Sequence, residues 1–532
     1  MMDIPLNAWT LFDHAGLNSA KVEIVSAFGP GRIQRHTYAQ FAARAQQLMH
    51  ALDRLGLEPG ERVATLAWNS HRHLEAYFGP PCTGRVLHTL NMRLSLEELT
   101  YIMGHADDRA VLVDPDLLPI LEKIIGDLPG LRHVIVLADE VPDTSISHAL
   151  AYEALLAAEP TDYPRRDIPE LTPMGLCYTS GTTGRPKGAL YTHRSTFLHA
   201  LAVTSGAAMS IGPSDCVLPQ VPMFHANAWG MPYAATAVGA KQVFFSGALD
   251  AATFVDLLID EQVTVSAGVP TVWLAVGDEL TARQARLPDL RHIVCGGSQP
   301  PRALIERYLR EFGVPILQAW GMTETSPLAS VAWPQHRMRD WDTERVITAA
   351  RTQAGLPIVG VDVTLRDAEG ATVAFDGTSM GDLYVRGPWV VDSYLGGEGA
   401  ENFTADGWFR TGDVAVGSPD GYFVIADRTK DLIKSGGEWI SSVDMEAAIM
   451  AMAEVAEAAV IAVPDAKWQE RPLACVVVRP GAEVTAEQVR SHLEANGFAR
   501  WQLPERVELI DAVPKTGVGK FDKKVLRARF AS

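Results

Sequence analysis

The chain has 532 residues, 47% of them apolar and 21% charged, an ordinary globular composition that excludes a disordered or fibrous protein. At roughly 150 residues per domain, that length points to three or four structural units. Lys and Arg number 46 against 64 Asp and Glu, a net charge of −18, which argues against a nucleic-acid coat or a polybasic membrane anchor. The cysteines (Cys82, Cys177, Cys216, Cys295 and Cys475) are far apart and form no CxxC pair. That spacing excludes a zinc ribbon or a disulfide framework and suits a reducing compartment. The opening MMDIPLNAWTLFDHAG has neither the basic nor the apolar region of a signal peptide. The most apolar stretch, 224–245, is broken by His225, Asn227, Pro232 and Lys241, so it falls short of the ~20 apolar residues of a spanning helix. The final residues, RFAS, carry no peroxisomal or prenylation signal. The expectation is a cytoplasmic protein with no membrane segment and no nucleic-acid partner.

Helical and strand patterns alternate along most of the chain. Residues 38–55 place Phe41, Ala42, Ala45, Leu48 and Leu52 at helical spacing, and a short apolar strand follows from Arg62. The same order recurs at 95–103 before 110–114, at 252–260 before 263–267, and at 302–312 before 315–319. Such alternation predicts parallel sheets with helices on their faces. Between about 355 and 427 the pattern changes to short alternating runs broken by Gly, Asp and Pro, which predicts a small antiparallel barrel or sheet. The charged segment 427–434 then opens a tail of α+β texture. We place the domain boundary there, giving a body of 1–427 and a C-terminal unit of 428–532. The tail holds about 15 basic and 15 acidic residues, so the negative excess belongs to the body.

The strongest local signal is LCYTSGTTGRPKG at 176–188. Thr179, Ser180, Thr182 and Thr183 alternate with Gly181 and Gly184 ahead of Lys187 and Gly188. Glycines let backbone N–H groups converge on an anion, hydroxyls donate further hydrogen bonds, and the lysine supplies charge. Those are the needs of a nucleotide's outer phosphates. Lys187 follows proline and precedes glycine, so the spacing is not that of a Walker A loop.

This loop resembles the signature of the adenylate-forming superfamily of acyl-CoA synthetases, luciferases and peptide-synthetase adenylation domains. Four further segments resemble that family's motifs in its order: QAWGMTET at 318–325, GWFRTGD at 407–413, DRTKDLIKSGG at 427–437 and PKTGVGK at 514–520. The resemblance implies a large N-terminal body of parallel α/β subdomains with a small β-barrel, and a mobile C-terminal α+β lid. It also implies activation of a carboxylic acid by ATP to an acyl adenylate, followed by transfer to CoA. Two anions must meet in the first step, so positioned cations and Mg²⁺ are expected to dominate catalysis.

Carried over motif by motif, the resemblance makes Thr179 and Glu324 the Mg²⁺ contacts and Thr323 a donor to the α-phosphate. Ser180, Gly181, Thr182, Thr183, Gly184 and Lys187 would hold the outer phosphates. Gly297, Ser298, Gln318, Ala319 and Trp320 would recognise adenine, Trp320 standing where the family has tyrosine. Asp413 would bind the ribose with Arg428 beside it, and Lys434 would reach the nucleotide. Lys520, on a loop with glycines at 517 and 519, is the expected catalytic cation. Lys430 is the expected hinge, Gly436 and Gly437 line the CoA channel, and Trp439 lies nearby. His225 would pack beside the reacting carboxylate. The run from 222 through 236 resembles the bacterial long- and medium-chain fatty-acid ligases, which makes Trp229 a gate, with Gly230 and Val269 as acyl-pocket walls. Short acids such as methylthiopropionate, or a carrier-protein acceptor, remain alternatives. A silent binding protein is opposed by retention of Lys187, Glu324, Asp413 and Lys520 together. A homodimer is plausible by analogy alone.

Overall fold

The computed structural model describes residues 2–179, 185–248, 250–428, 431–435, 438–465, 467–515 and 521–530. Ser180, Gly181, Thr182, Thr183, Gly184, Lys430, Gly436, Gly437 and Lys520 lie outside those residues.

The helices form where apolar periodicity and caps agree. Tyr38–Arg54 begins at Thr37, whose hydroxyl accepts from the Gln40 amide while the Gln40 side chain accepts from the Thr37 N–H. This reciprocal cap satisfies two otherwise orphaned donors. Phe41, Ala45, Leu48 and Leu52 then face the core. Ser95 and Glu98 make the same box ahead of Leu96–Ala106, which stops at Asp107 with φ 56°. The pattern at 302–312 is not one uniform helix. Arg302–Arg307 is α-helical and Tyr308–Phe312 continues as a wider π turn, ending at Gly313 with φ 72°.

Two large sheets carry the body. One has nine strands in the order Leu356–Pro357, Leu328–Val331, Ile316–Gly321, His292–Cys295, Val265–Gly268, Cys216–Pro219, Lys241–Phe245, Glu23–Ala27 and Ile33–Thr37. The other has seven: Leu150–Ala151, His133–Val136, Asp108–Val113, Arg62–Leu66, Val86–Thr89, Pro173–Tyr178 and Gly188–Thr192. The inner pairs are parallel and the outer pairings of the nine-stranded sheet are antiparallel, as is the last pair of the seven-stranded sheet. Helices Ala8–Asn18, Tyr38–Arg54, His71–Phe78, His193–Thr204 and Met231–Val238 feed one core cluster that also takes Ile24 and Val217 from the first sheet and Val63 and Leu87 from the second. Parallel strands buried on both faces leave their carboxyl ends as the natural place for a ligand.

Residues 362–428 form a five-stranded antiparallel sheet: Thr372–Val373, Asp362–Arg366, Met380–Arg386, Phe409–Gly417 and Phe423–Arg428. The antiparallel texture is as expected; the described strands pair as an open sheet rather than a closed barrel. The segment Thr411-Gly-Asp413 lies inside the nine-residue strand Phe409–Gly417. A glycine at φ 75° (Gly412) and shifts in register hid that strand's alternation. The tail builds a separate sheet with helices Ser442–Met450, Ala486–Ala495 and Lys523–Phe530, and has its own apolar clusters. No helix is long and apolar enough to cross a membrane among the described residues.

Burial holds His73, His193, His199 and His292 neutral. His73, His193 and His292 are each lowered to about 4 and His199 to about 3, in every case first by desolvation. The unfolded chain binds protons at these sites below about pH 6.5 while the folded chain does not, so their contribution to stability is lost as pH falls through that window. Replacing His292 by Gln is expected to flatten the dependence of urea-unfolding free energy on pH between 6 and 4.5 by up to about 1.4 kcal/mol per unit. An unchanged slope would show that His292 is protonated in the fold.

Candidate active site

A cavity of about 600 Å³ opens where the three sheets of the body meet. The hairpin Pro173–Tyr178 to Gly188–Thr192 brings Thr179 and Lys187 to it. The strand ends after His292–Cys295 and at Ile316–Gly321 bring Gly296, Gly297, Ala319, Trp320, Thr323 and Glu324. Phe409, Arg410, Thr411, Gly412 and Arg428 come from the five-stranded sheet, and Asp431 and Phe521 from the C-terminal unit. Gly321 makes the corner possible, since a Cβ there would lie 1.9 Å from the Pro327 carbonyl oxygen.

One end is built on Asp413, which is 2% exposed. Its carboxylate accepts from the indole N–H of Trp320 at 2.9 Å and pairs with the Arg428 guanidinium at 2.7 Å. Tryptophan in the tyrosine position therefore does more than keep an aromatic face, because its N–H fixes both the ring and the acid. Phe423 meets the indole edge-on at 5.6 Å.

At the other end the charges cross. Thr179 and Lys187 close the base of the glycine-rich loop: the Thr179 N–H donates to the Lys187 carbonyl at 2.9 Å, and the Lys187 N–H to the Thr179 hydroxyl at 3.2 Å. The Lys187 ammonium lies 5.4 Å from the Tyr394 ring centroid and 3.3 Å from the Glu401 carboxylate. The Tyr394 hydroxyl donates to Glu324 Oε1 at 2.5 Å. Burial and the neighbouring Glu324 push that phenol well up from its ordinary value, so it remains a donor. Tyr191 donates to the Thr323 carbonyl at 2.7 Å, fixing the turn that carries both Thr323 and Glu324.

His225 and Trp229 reach the cavity from an unusual segment. Ala226, Asn227, Ala228 and Trp229 have φ of 42°, 53°, 48° and 55°, followed by Gly230 at 75°. A run of non-glycine residues in the left-handed region costs roughly 1–2 kcal/mol each, and all five are buried in a core that holds them there. Trp229 leans over Gly296, where a Cβ would come within 3.2 Å of the ring.

Several expected residues sit elsewhere. Gly230 does not line the cavity; its close neighbour is His199, which a Cβ would meet at 2.5 Å. Val269 caps the helix Pro270–Arg283 and packs into the core behind it. Ser298 is exposed in the turn beyond Gly297. Gln318 is buried in its strand, and its amide oxygen has no hydrogen-bond partner. Lys434 is exposed on the strand Ile433–Ser435, and its backbone N–H donates to Glu470. Trp439 belongs to the strand Glu438–Ile440. Tyr394 and Arg410 were not found from sequence: Tyr394 falls in none of the motif segments, and Arg410 lies inside GWFRTGD without having been given a role.

The AMP-binding enzyme family matches residues 11–395, and the AMP-binding enzyme C-terminal domain matches 444–520. A long-chain-fatty-acid–CoA ligase from Thermus thermophilus is 47% identical over 532 residues, covering 100% of this chain and 96% of the relative. A 3-methylmercaptopropionyl-CoA ligase from Ruegeria lacuscaerulensis is 40% identical, covering 100% and 98%. Among solved structures, an anthranilate CoA ligase in complex with anthranoyl-AMP superposes with a TM-score of 0.88 at 26% identity, covering 99% of this chain and 98% of that one.

The Trp320–Asp413 bond makes a specific demand. In Trp320→Phe the aromatic face stays and the donor to a buried carboxylate goes, at a cost of about 1–3 kcal/mol. KM for ATP is expected to rise about 5- to 100-fold with kcat changed far less, the pattern of lost uniform binding. A fall in kcat at constant KM in steady-state assays would contradict this.

Proposed function

Because the chain belongs to the AMP-binding enzyme family, we propose that it is an acid–thiol ligase joining an aliphatic carboxylic acid to CoA through an acyl adenylate, with release of AMP and pyrophosphate. The observation carrying this reading is the placement of Thr179, Lys187, Thr323, Glu324, Trp320 and Arg428 around one cavity, with Asp413 bonded to its wall.

The described residues suit Mg²⁺. Glu324 and Thr179 offer a carboxylate and a hydroxyl to the same cavity, and both are hard oxygen donors. Among the described residues no group of three or more His, Cys, Asp or Glu forms a protein cage, which fits an ion that keeps water and phosphate oxygens among its ligands. When bound, the ion supplies positive charge to the phosphate oxygens. The chain's own residues do the rest. Trp320 offers its face to the adenine, and Asp413 accepts from the ribose hydroxyls. Lys187, with the loop 180–184, holds the outer phosphates, and Thr323 donates to the α-phosphate. His225 packs beside the incoming carboxylate, and Trp229 guards the acyl side. Lys520 enters from the C-terminal unit and offsets the repulsion between carboxylate and phosphate during attack. A turn at Lys430 then withdraws it and brings Gly436, Gly437 and Trp439 to admit the thiol.

The acyl group is aliphatic in this reading, as in the long-chain and 3-methylmercaptopropionyl relatives. An apolar pocket separates acids differing by one methylene by only ~1–3 kcal/mol, so activity is expected to grade across chain lengths rather than switch. Pyrophosphate release measured with a series of carboxylates, with and without CoA, tests the reading. Silence with every acid would overturn it, and adenylate without thioester would replace CoA by a carrier protein. Lys520→Ala is expected to slow adenylate formation about 10²- to 10³-fold while supplied acyl adenylate still reacts with CoA. Equal losses in both half-reactions would refute the assignment.

A further inference from the structure

Tyr394 occupies a position that neither the motifs nor the proposed chemistry explains. It is 4% exposed and lies between two groups of opposite charge. Its hydroxyl donates to Glu324 at 2.5 Å, and its ring lies beneath the Lys187 ammonium at 5.4 Å. Its backbone bridges to Ala189, two residues beyond Lys187. Three residues before it, the Val391 N–H donates to the Glu324 carbonyl at 2.9 Å. Phe403 and Phe409 meet the ring at 5.9 and 6.5 Å, so it cannot swing away without disturbing both. Gly399, at φ 65°, leaves the space in which lysine and ring meet, since a Cβ there would lie 2.8 Å from the ammonium and 2.9 Å from the ring. One side chain thus sets the spacing between an acid and a base that belong to different sheets.

We propose that Tyr394 is a positioning residue: its hydroxyl aims the Glu324 carboxylate for a divalent cation, and its ring seats Lys187 for the nucleotide's outer phosphates. The proposal rests on the roles given above to Glu324 and Lys187. The two halves act through different atoms and so separate by substitution. A hydroxyl that orients a metal-binding carboxylate is an outer partner of the kind whose loss weakens metal affinity about 10-fold or more. A ring beneath an ammonium contributes through its face, which phenylalanine keeps.

The experiment is isothermal titration of the whole enzyme with ATP, first with EDTA and then with MgCl₂ in steps. In Tyr394→Phe, metal-free ATP is expected to bind within about twofold of wild type, whereas the Mg²⁺ concentration giving half of the Mg²⁺-dependent gain in affinity rises about tenfold. Tyr394→Leu is expected to weaken metal-free ATP as well, by about three- to tenfold. Should Tyr394→Leu not fold, Tyr394→Phe carries the test alone, because it keeps the ring's packing. A purely structural tyrosine would lower the melting temperature and leave the Mg²⁺ requirement of the folded fraction where it was, and that result overturns the proposal. Glu324→Gln tests the underlying role separately. If it keeps the full Mg²⁺ effect, the reading of Glu324 falls and this proposal falls with it. If it loses the effect, the double variant is expected to lose no more than Glu324→Gln alone, and additive losses would show that the hydroxyl does not act through that carboxylate.

Discussion

Two anions, a carboxylate and a polyphosphate, have to approach bonding distance inside a chain that is itself strongly acidic. Of the cavity's cations, Arg185 lies over the Tyr101 ring, and three are already paired with acids in the described structure: Lys187 with Glu401, Arg428 with Asp413, and Arg410 with Asp382. Pairing of this kind keeps a cation from drawing in stray anions and fixes its direction, which matters more in a low-dielectric site than the raw number of charges. In the reaction proposed above, an incoming anion would exchange with one of these acidic partners.

The architecture makes such an exchange possible because no single element owns the site. Thr179 and Lys187 hang from the seven-stranded sheet, Trp320 to Glu324 from the nine-stranded sheet, and Asp413 and Arg428 from the antiparallel sheet. One buried core cluster takes residues from all three sheets, and the cavity is the seam left where they join. The C-terminal unit attaches at the same seam. Ser441 donates to the Ala426 carbonyl at 2.6 Å, Ser442 bonds the Asp427 carboxylate, and Lys523 reaches both Ser442 and Glu446. These bonds tie the C-terminal unit to Ala426 and Asp427, at the end of the antiparallel sheet.

How much of this was readable beforehand depends on whether the signal was contiguous. The helices and the parallel strands were legible because their periodicity acts over a few residues, and the motif segments because each keeps its residues together. The Trp320–Asp413 bond joins residues 93 positions apart, and the Tyr394–Glu324 bond joins residues 70 apart. Nothing local to Val391-Asp-Ser-Tyr394 announces its partner. Gly230 and Val269, expected as acyl-pocket walls, do not line the described cavity, because the facing of each residue depends on backbone turns that the letters do not encode.

The left-handed run at 226–230 shows why. Alanine and tryptophan carry no signature of positive φ, asparagine favours it at a single position only, and glycine appears only at its end. Local preference alone would place this stretch in an ordinary turn or helix, at lower energy. That it is held otherwise means the surrounding packing overrides it, and the packing is specific: Trp229 against Gly296, Gly230 against His199, and Asn227 near the Cys177 thiol at 3.5 Å. The His199 ring in turn accepts from the Leu328 N–H at 3.1 Å, in the strand that follows Glu324. A segment maintained by its neighbours responds when they shift, and these neighbours are Cys177 in the strand Pro173–Tyr178, Gly296 just beyond the strand His292–Cys295, and His199 in the helix His193–Thr204. The left-handed run and the strand that follows Glu324 are therefore joined through one packed boundary, the His199 ring.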